Sequence, residues 1–317
     1  MRVAVVGAGA IGGFIAAALA KAGVSVAVVA RGAHLAHIQR DGLHVQSDLG
    51  TITVHVEASA DLRELNGFDA LVLTFKAHQW PPLLVQLGPF AGTTTKIVTL
   101  QNGVPFWYVR EPPLRSVDPN GTIGRLFGDD QVVGGVVHVS GEIVAPGRIR
   151  QSGGLRYVLG APGGGASESA QCLVDTFRSA GLAAELDRNI RATVWLKLVN
   201  NAALNSLSVL RHSTIKMLLA DTEVRAQARN LMLEALRVGQ AMKVVSHVDV
   251  DARIEYAARL DDVKTSTLQD YERGRPLELD PILGAIIELG QRFGVEVPRL
   301  KTAYAALSRP AAREGVR

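Results

Sequence analysis

Residues 1–31 read MRVAVVGAGAIGGFIAAALAKAGVSVAVVAR. Val3 to Val6 form a short apolar run, the pattern of a strand buried on both faces of a parallel sheet. The run enters Gly7-Ala8-Gly9-Ala10-Ile11-Gly12 and then a helix-forming stretch from Phe14 to Ala22. A second apolar run, Val24 to Ala30, ends on Arg31. Strand, glycine-rich turn, helix and strand in this order make a βαβ unit with a dinucleotide fingerprint in its first turn. Gly7 allows the tight turn, Gly9 lets backbone approach a pyrophosphate, and Gly12 lets the helix sit against the strand. Free N–H groups and the partial positive charge at the helix start then favour phosphate. Gly7, Ala8, Gly9, Ala10, Ile11 and Gly12 are therefore the expected cofactor contacts.

Arg31 refines the cofactor. A unit selective for NAD usually ends its second strand in an acid that binds the ribose 2′-hydroxyl. Here the next acid is Asp41. An arginine at that place suits a 2′-phosphate, through charge-assisted hydrogen bonds worth roughly 1.5–3 kcal/mol each. The expected cofactor is NADPH/NADP+, with a solvated arginine in a surface turn as the plainer alternative.

Bulk properties narrow the function class. The chain has 317 residues, 47% hydrophobic and 20% charged, which fits a globular protein of two domains. The net charge of +4 is spread without runs, and aromatics are only 5% of residues, so no nucleic-acid surface is expected. A small anionic ligand fits better. The single cysteine, Cys172, excludes an intrachain disulfide framework. No His/Cys cluster has metal spacing, so no metal is expected; His34 and His37 read as solvated residues of a surface helix without a carboxylate partner. Arg2 and the uncharged run Val3 to Ala20 imitate a secretory signal, but fingerprint glycines interrupt it and a matching strand follows. The expectation is a cytoplasmic protein with no membrane span.

The pattern predicts an α/β Rossmann-type N-terminal domain over residues 1–187 and an all-α domain over residues 188–317. Strands are expected to end near Arg31, Phe75 and Gln101, followed by the polar groups Arg31, Lys76 and Asn102-Gly103. Ligands of an open parallel sheet bind beyond such strand ends. The stretch 105–130 opens with Pro105, Pro112, Pro113 and Pro119 and is expected to lack regular structure. Residues 132–160 read as strands with turns at Gly141 and Pro146-Gly147, followed by a helix over 168–180 and a strand over 182–186. In the second domain, Asp221 or Thr222 caps a helix reaching about Val245, Asp280-Pro281 starts another, and Pro298 starts a third.

One helical stretch, Thr193-Val-Trp-Leu-Lys-Leu-Val-Asn-Asn-Ala-Ala-Leu-Asn205, mixes apolar bulk with a polar stripe. Lys197, Asn201 and Asn205 are spaced i, i+4, i+8, within about 80° of one face at 100° per residue. Each would cost roughly 1–3 kcal/mol if desolvated without a partner. The stripe therefore needs a ligand, water, a polar network or neighbouring backbone groups.

At these residues the chain resembles the ketopantoate reductase (2-dehydropantoate 2-reductase) family over nearly its full length. The resemblance rests on Gly7-x-Gly9-x-x-Gly12 with Arg31, Thr74-Phe75-Lys76-Ala77, Gln101-Asn102-Gly103, Trp195-x-Lys197-Leu-x-x-Asn201-x-x-x-Asn205, Ser266-x-Leu268-Gln269-Asp270 and Glu278-x-Asp280. It implies NADPH-dependent reduction of a small-molecule 2-keto acid to a 2-hydroxy acid, a step of pantothenate biosynthesis. By resemblance Lys197 is the proton donor, and Glu278 neighbours it and touches the ribose side of the cofactor. Asn201, Asn205 and Ser266 hold substrate. Asn102 meets both cofactor and substrate, and Lys76 and the backbone near Val139 lie at the cofactor. A protonated lysine can stabilise charge developing on the keto oxygen and then deliver its proton.

Two departures concern the substrate. Where some relatives have an asparagine three residues before the serine, this chain has Val263, and the segment from Pro105 to Asp130 is longer than in the short enzymes of the family. A different branched or aromatic 2-keto acid is thus the first alternative, and a non-catalytic NADP-binding regulatory module the second. A homodimer is an open expectation, because no residue pattern sets oligomeric state.

Overall fold

The computed structural model describes residues 1–259 and 264–309. Val263 therefore lies outside the described residues. The chain divides into two compact units, Met1–Gln101 with Gly121–Ile190, and Asn102–Asn120 with Arg191–Arg317. The first is a sheet with helices. The second contains helices and, among the described residues, no strand. The fold class is thus an α/β Rossmann-type unit followed by a helical one.

The first unit holds ten strands: β1 Arg2–Val6, β2 Ser25–Val29, β3 Leu43–Ser47, β4 Gly50–Val54, β5 Glu57–Ser59, β6 Ala70–Leu73, β7 Lys96–Thr99, β8 Val132–Ala145, β9 Arg148–Gly160 and β10 Ala183–Leu186. They form one sheet in the order β4-β3-β9-β8-β7-β6-β1-β2-β5, with β10 beside β9. The block from β8 to β5 is parallel, with Val3 opposite Val26 on one side and Ala70 on the other. Val3, Ala4, Val5 and Val6 are fully buried, which is why β1 reads as an unbroken apolar run. Helix α1, Ala10–Lys21, buries every residue from Gly12 to Leu19, as an all-apolar helix must. Helices α2 Gly32–Asp41, α3 Trp80–Leu87, α4 Thr122–Leu126 and α5 Glu168–Ser179 complete the unit.

Local expectations need three corrections here. Strand β2 stops at Val29, and Arg31 takes extended backbone as the residue preceding α2. Gly141 is no turn: it lies inside β8, where pairing with β9 shifts register, so bulges absorb the irregularity and the ladder continues. The stretch 105–130 is not wholly irregular, since α4 forms once the prolines are passed.

The second unit contains α6 Ile190–Asn200, α7 Ser206–Leu210, α8 Ile215–Ala220, α9 Thr222–Ala241, α10 Val250–Ala258, α11 Ser266–Glu272, α12 Ala285–Arg292 and α13 Pro298–Ser308. Asp221 caps α9 by accepting the Glu223 and Val224 N–H groups at 2.8 and 3.1 Å. The helix closes at Ala241, before Val245, because Lys243 takes a left-handed φ of 57°. Asp280 caps nothing: it opens a π turn, Asp280–Gly284, and its carboxylate accepts the Tyr304 hydroxyl at 2.5 Å. Glu234 is 1% exposed and accepts the backbone N–H groups of Arg299 and Leu300, so α9 supplies the cap for α13.

The segment Asn102–Asn120 is anchored within this unit. Trp107 and Tyr108 are fully buried. Glu288 on α12 accepts the N–H groups of Arg115 and Ser116 at 3.0 Å each and the Ser116 hydroxyl at 2.9 Å. Arg292 pairs with Glu288 at 2.5 Å and donates to the carbonyls of Pro112 and Pro113. Burial opposes ionisation of Glu288, but these hydrogen bonds outweigh it and hold the carboxyl below its usual value. Glu288→Ala should lower unfolding free energy by about 2 kcal/mol at neutral pH, the scale for hydrogen bonds to a charged group. Because the folded pKa is depressed, the gap between wild type and variant should be full above about pH 4.3 and close as pH falls below it. Urea denaturation across pH measures this; coincident curves at pH 7 would show that aromatic packing alone holds the segment.

Candidate functional site

The glycine-rich turn of the first unit has the shape its sequence implied. Gly7 adopts φ +98°, and a Cβ there would lie 2.8 Å from the Phe75 backbone nitrogen. A Cβ on Gly12 would lie 2.3 Å from Thr74 Oγ1 and 2.4 Å from the Gly7 carbonyl oxygen, so helix α1 sits directly on the strand ends. Gly9 differs: nothing lies nearer than 3.9 Å to its absent Cβ. The α1 start has no side-chain cap and no acid in its first turn, leaving donors for an anion among Ala10, Ile11 and Gly12. Thr74 Oγ1 donates to the Gly7 carbonyl at 2.8 Å, which ties the end of β6 to the turn.

Other residues expected at a cofactor spread over the same unit. Arg31 is exposed at the start of α2. Lys76 is half-buried just after β6, and its N–H donates to Gln79 Oε1 at 3.0 Å. Its neighbour Phe75 packs directly on Gly7. Val139 sits where β8 shifts register, packed on the apolar core, with β7 and β6 between its strand and β1. Among the described residues no group of acids, histidines and cysteine could hold a metal, and no helix is long and apolar enough to cross a membrane.

The two histidines are half-buried, and each has a partner. His34 Nε2 lies 2.8 Å from the Ala8 carbonyl oxygen, and its Nδ1 accepts the Gly147 N–H at 2.9 Å. His37 does have a carboxylate partner, Asp41, at 3.2 Å. Both contacts of His34 reach across many residues of sequence, so local pattern carried no signal for them beyond the three-residue spacing after Arg31.

In the second unit the polar stripe is real but its helix is not uniform. Residues Asn201–Asn205 form a π turn between α6 and α7. The wider turn rotates Asn205 away from the position that 100° per residue assigns to it. Two contacts from α10 brace the preceding turn: Arg253 donates to the Leu196 carbonyl at 2.9 Å and to Asn200 Oδ1 at 3.1 Å. Trp195 is fully buried, stacks on Tyr108 at 6.0 Å and donates to the Ala235 carbonyl at 3.1 Å. These contacts set the rotation of α6 and hence the direction of Lys197.

Lys197 Nζ donates to Asn102 Oδ1 at 2.9 Å. Burial pushes its pKa down to about 8, against the attraction of Glu278, which raises it. Glu278 is itself only 8% exposed. Asn102 is held by its successors: the Val104 N–H donates to the Pro281 carbonyl at 2.7 Å, and Gly103 at φ +87° lies so close to Pro281 that a Cβ would stand 2.6 Å from the same oxygen. Asn102 and Glu278 thus flank Lys197 through one docked backbone.

Asn201 is half-buried, and Asn205 is 9% exposed. Helix α11 packs against their π turn and opens on Ser266, which is exposed. Ser266 is not the cap of that helix. Thr265 is, accepting the Leu268 N–H at 3.1 Å and sharing a hydrogen bond with Ser208 Oγ at 2.6 Å. Among the described residues the side chains of Asn201, Asn205 and Ser266 have no hydrogen-bond partner. The arrangement offers one ammonium with a pKa of about 8 and, on neighbouring elements, three polar groups that bond no described side chain.

Comparison with known proteins identifies the family. Residues 3–164 match the family model described as ketopantoate reductase PanE/ApbA, and residues 189–311 match its C-terminal counterpart. A 2-dehydropantoate 2-reductase of Mesorhizobium japonicum is 41% identical, with 99% of each chain covered. A crystal structure from Ralstonia solanacearum MolK2, provisionally named a ketopantoate reductase, is 34% identical and superposes with a TM-score of 0.92 over 100% of this chain and 99% of that one. The 2-dehydropantoate 2-reductase of Methylococcus capsulatus is 30% identical, with a TM-score of 0.83 over 97% and 96% of the two chains. The glycine turn, the lysine helix and these full-length matches together show that the chain belongs to the ketopantoate reductase family.

Proposed function

We propose that this oxidoreductase reduces 2-dehydropantoate to pantoate with NADPH. The observation that carries the reading is the half-buried Lys197 ammonium, which donates to Asn102, is attracted by Glu278 and has its pKa pushed down to about 8. An acid poised near neutral pH is what proton delivery to a reduced carbonyl needs. The names of relatives at up to 41% identity over the full chain support the substrate.

The residues of the first unit fit a dinucleotide. Gly9 has an open side and α1 an uncapped start, while Arg31 offers an exposed guanidinium to a 2′-phosphate. Lys76, and by resemblance Asn102, Val139 and Glu278, belong to the same cofactor proposal. When bound, NADPH supplies the hydride that reduces C2 of the keto acid. Lys197 stabilises the negative charge arriving on the carbonyl oxygen and transfers its Nζ proton there, completing the hydroxyl. Lysine is left neutral and takes a proton back from solvent. Asn102 Oδ1 holds Nζ in place, and Glu278 keeps the ammonium charged before transfer. Asn201, Asn205 and Ser266 donate hydrogen bonds to the substrate carboxylate or hydroxyl without adding charge.

The reading is tested by NADPH oxidation against 2-dehydropantoate and a panel of branched and aromatic 2-keto acids. A higher kcat/KM on another acid would overturn the substrate, and no oxidation with any would overturn the reductase. Because Lys197 acts in its protonated form, kcat/KM should be level at lower pH and fall about tenfold per unit above pH 8. Lys197→Ala should lower kcat by roughly 100-fold or more while NADPH still binds; near-normal turnover would remove it from the mechanism. Arg31→Ala should raise the KM for NADPH roughly tenfold or more and leave NADH unchanged; equal losses would mark a structural role.

Asn205→Ala or Ser266→Ala should raise the substrate KM by roughly 5- to 150-fold with little change in Tm, since neither side chain bonds a described residue. A fall in Tm without a change in KM would assign Asn205 to the fold instead.

A further inference from the structure

His34 stands outside every role assigned so far, yet its ring reaches the Ala8 carbonyl of the fingerprint turn at 2.8 Å. Its chemistry is settled by its other partner. A backbone N–H can only donate, so Nδ1, which receives the Gly147 N–H, carries no proton. The proton of the neutral ring is then on Nε2, which donates to the Ala8 carbonyl. Burial favours this neutral form, against the Ala8 hydrogen bond, which favours the charged one.

Three parts of the first unit meet at this ring. Ala8 is 3% exposed, and its own N–H donates to the Val29 carbonyl at 3.0 Å, so both sides of the residue are committed. The peptide plane joining Ala8 to Gly9 is rigid, and holding its carbonyl holds the chain direction at Gly9. Gly147 is the turn of the β8–β9 hairpin and also receives the His44 N–H on its carbonyl at 2.9 Å. His37, one turn beyond His34 on α2, packs so tightly on Gly147 that a Cβ there would stand 2.0 Å from the ring. Arg31 immediately precedes the same helix.

We infer that His34 is a positioning residue for the cofactor: one neutral imidazole joins the phosphate turn at Ala8 to the β8–β9 hairpin and sets the start of α2, which carries Arg31. This rests on the reading of the glycine turn as the dinucleotide site. The ring touches no substrate and takes no part in proton delivery. Its removal should therefore alter cofactor affinity and spare the chemical step.

His34→Ala and His34→Gln separate the possibilities. Glutamine retains one amide donor and one carbonyl acceptor, so it can restore the Ala8 bond without an imidazole. With NADPH fluorescence as the probe, His34→Ala should weaken binding roughly tenfold, the scale of losing a hydrogen bond. At saturating NADPH its kcat and keto-acid KM should stay within about twofold of wild type, and His34→Gln should recover most of the affinity. Wild-type affinity in His34→Ala would overturn the inference. So would kcat or keto-acid KM changing as much as cofactor affinity, or glutamine behaving like alanine in a chain that folds normally by circular dichroism. Failure of the wild type to bind either NADPH or NADH would overturn the reading of the turn itself, and this inference with it.

Discussion

A lysine ammonium at position 197 is half-buried and desolvated on a helix whose other neighbours are mostly apolar, and the arrangement of the second unit follows from making that charge tolerable. Removing it from water lowers its pKa to about 8, and without opposing charge the loss would go further. Glu278 supplies the charge and Asn102 the oriented acceptor. Neither is near Lys197 in sequence. The segment after Asn102 must therefore be docked on the π turn at Pro281, and the rest of the segment must be held where it lies. Glu288 and Arg292 do the holding at one end, and Trp107 and Tyr108 at the other.

The same demand explains the irregular helices. A continuous α-helix from Trp195 through Leu210 would carry its polar groups on a slowly drifting stripe. The π turn at Asn201–Asn205 reorients Asn205 within a single turn and brings α11 against it. Thr265 and Ser208 absorb the local capping and hydroxyl bonding, which leaves Ser266 uncommitted. Where the structural hydrogen bonds are made by their neighbours, the polar groups beside them are not needed to satisfy the fold.

In the first unit the constraint is backbone shape. The close approach of Gly12 to Thr74 and of Gly7 to Phe75 allows α1 to start directly above the strand ends, where its donors are unspent. Thr74 on one side and His34 on the other tie the turn to the elements around it. A turn this short of side chains depends on outside groups for its rigidity.

Much of this was legible in the residues. The apolar runs of β1 and β2, the three fingerprint glycines, the Asp221 cap and Pro298 at the head of α13 depend on interactions within a few residues, and local chemistry determined them. The identities of Lys197, Asn201, Asn205 and Glu278 were also visible as polar groups in a known family pattern. Tertiary structure decided the rest. It placed Asn102–Asn120 with the second unit, turned uniform helices into π turns at Asn201 and Asp280, and gave the cap of α11 to Thr265. It also gave His37 the carboxylate partner that the surface-helix reading denied it, and gave His34 two backbone partners. Several of these outcomes rest on contacts between residues far apart in the chain, such as Asn102 with Lys197 or His34 with Gly147, and hydrophobic period and propensity report only on neighbours.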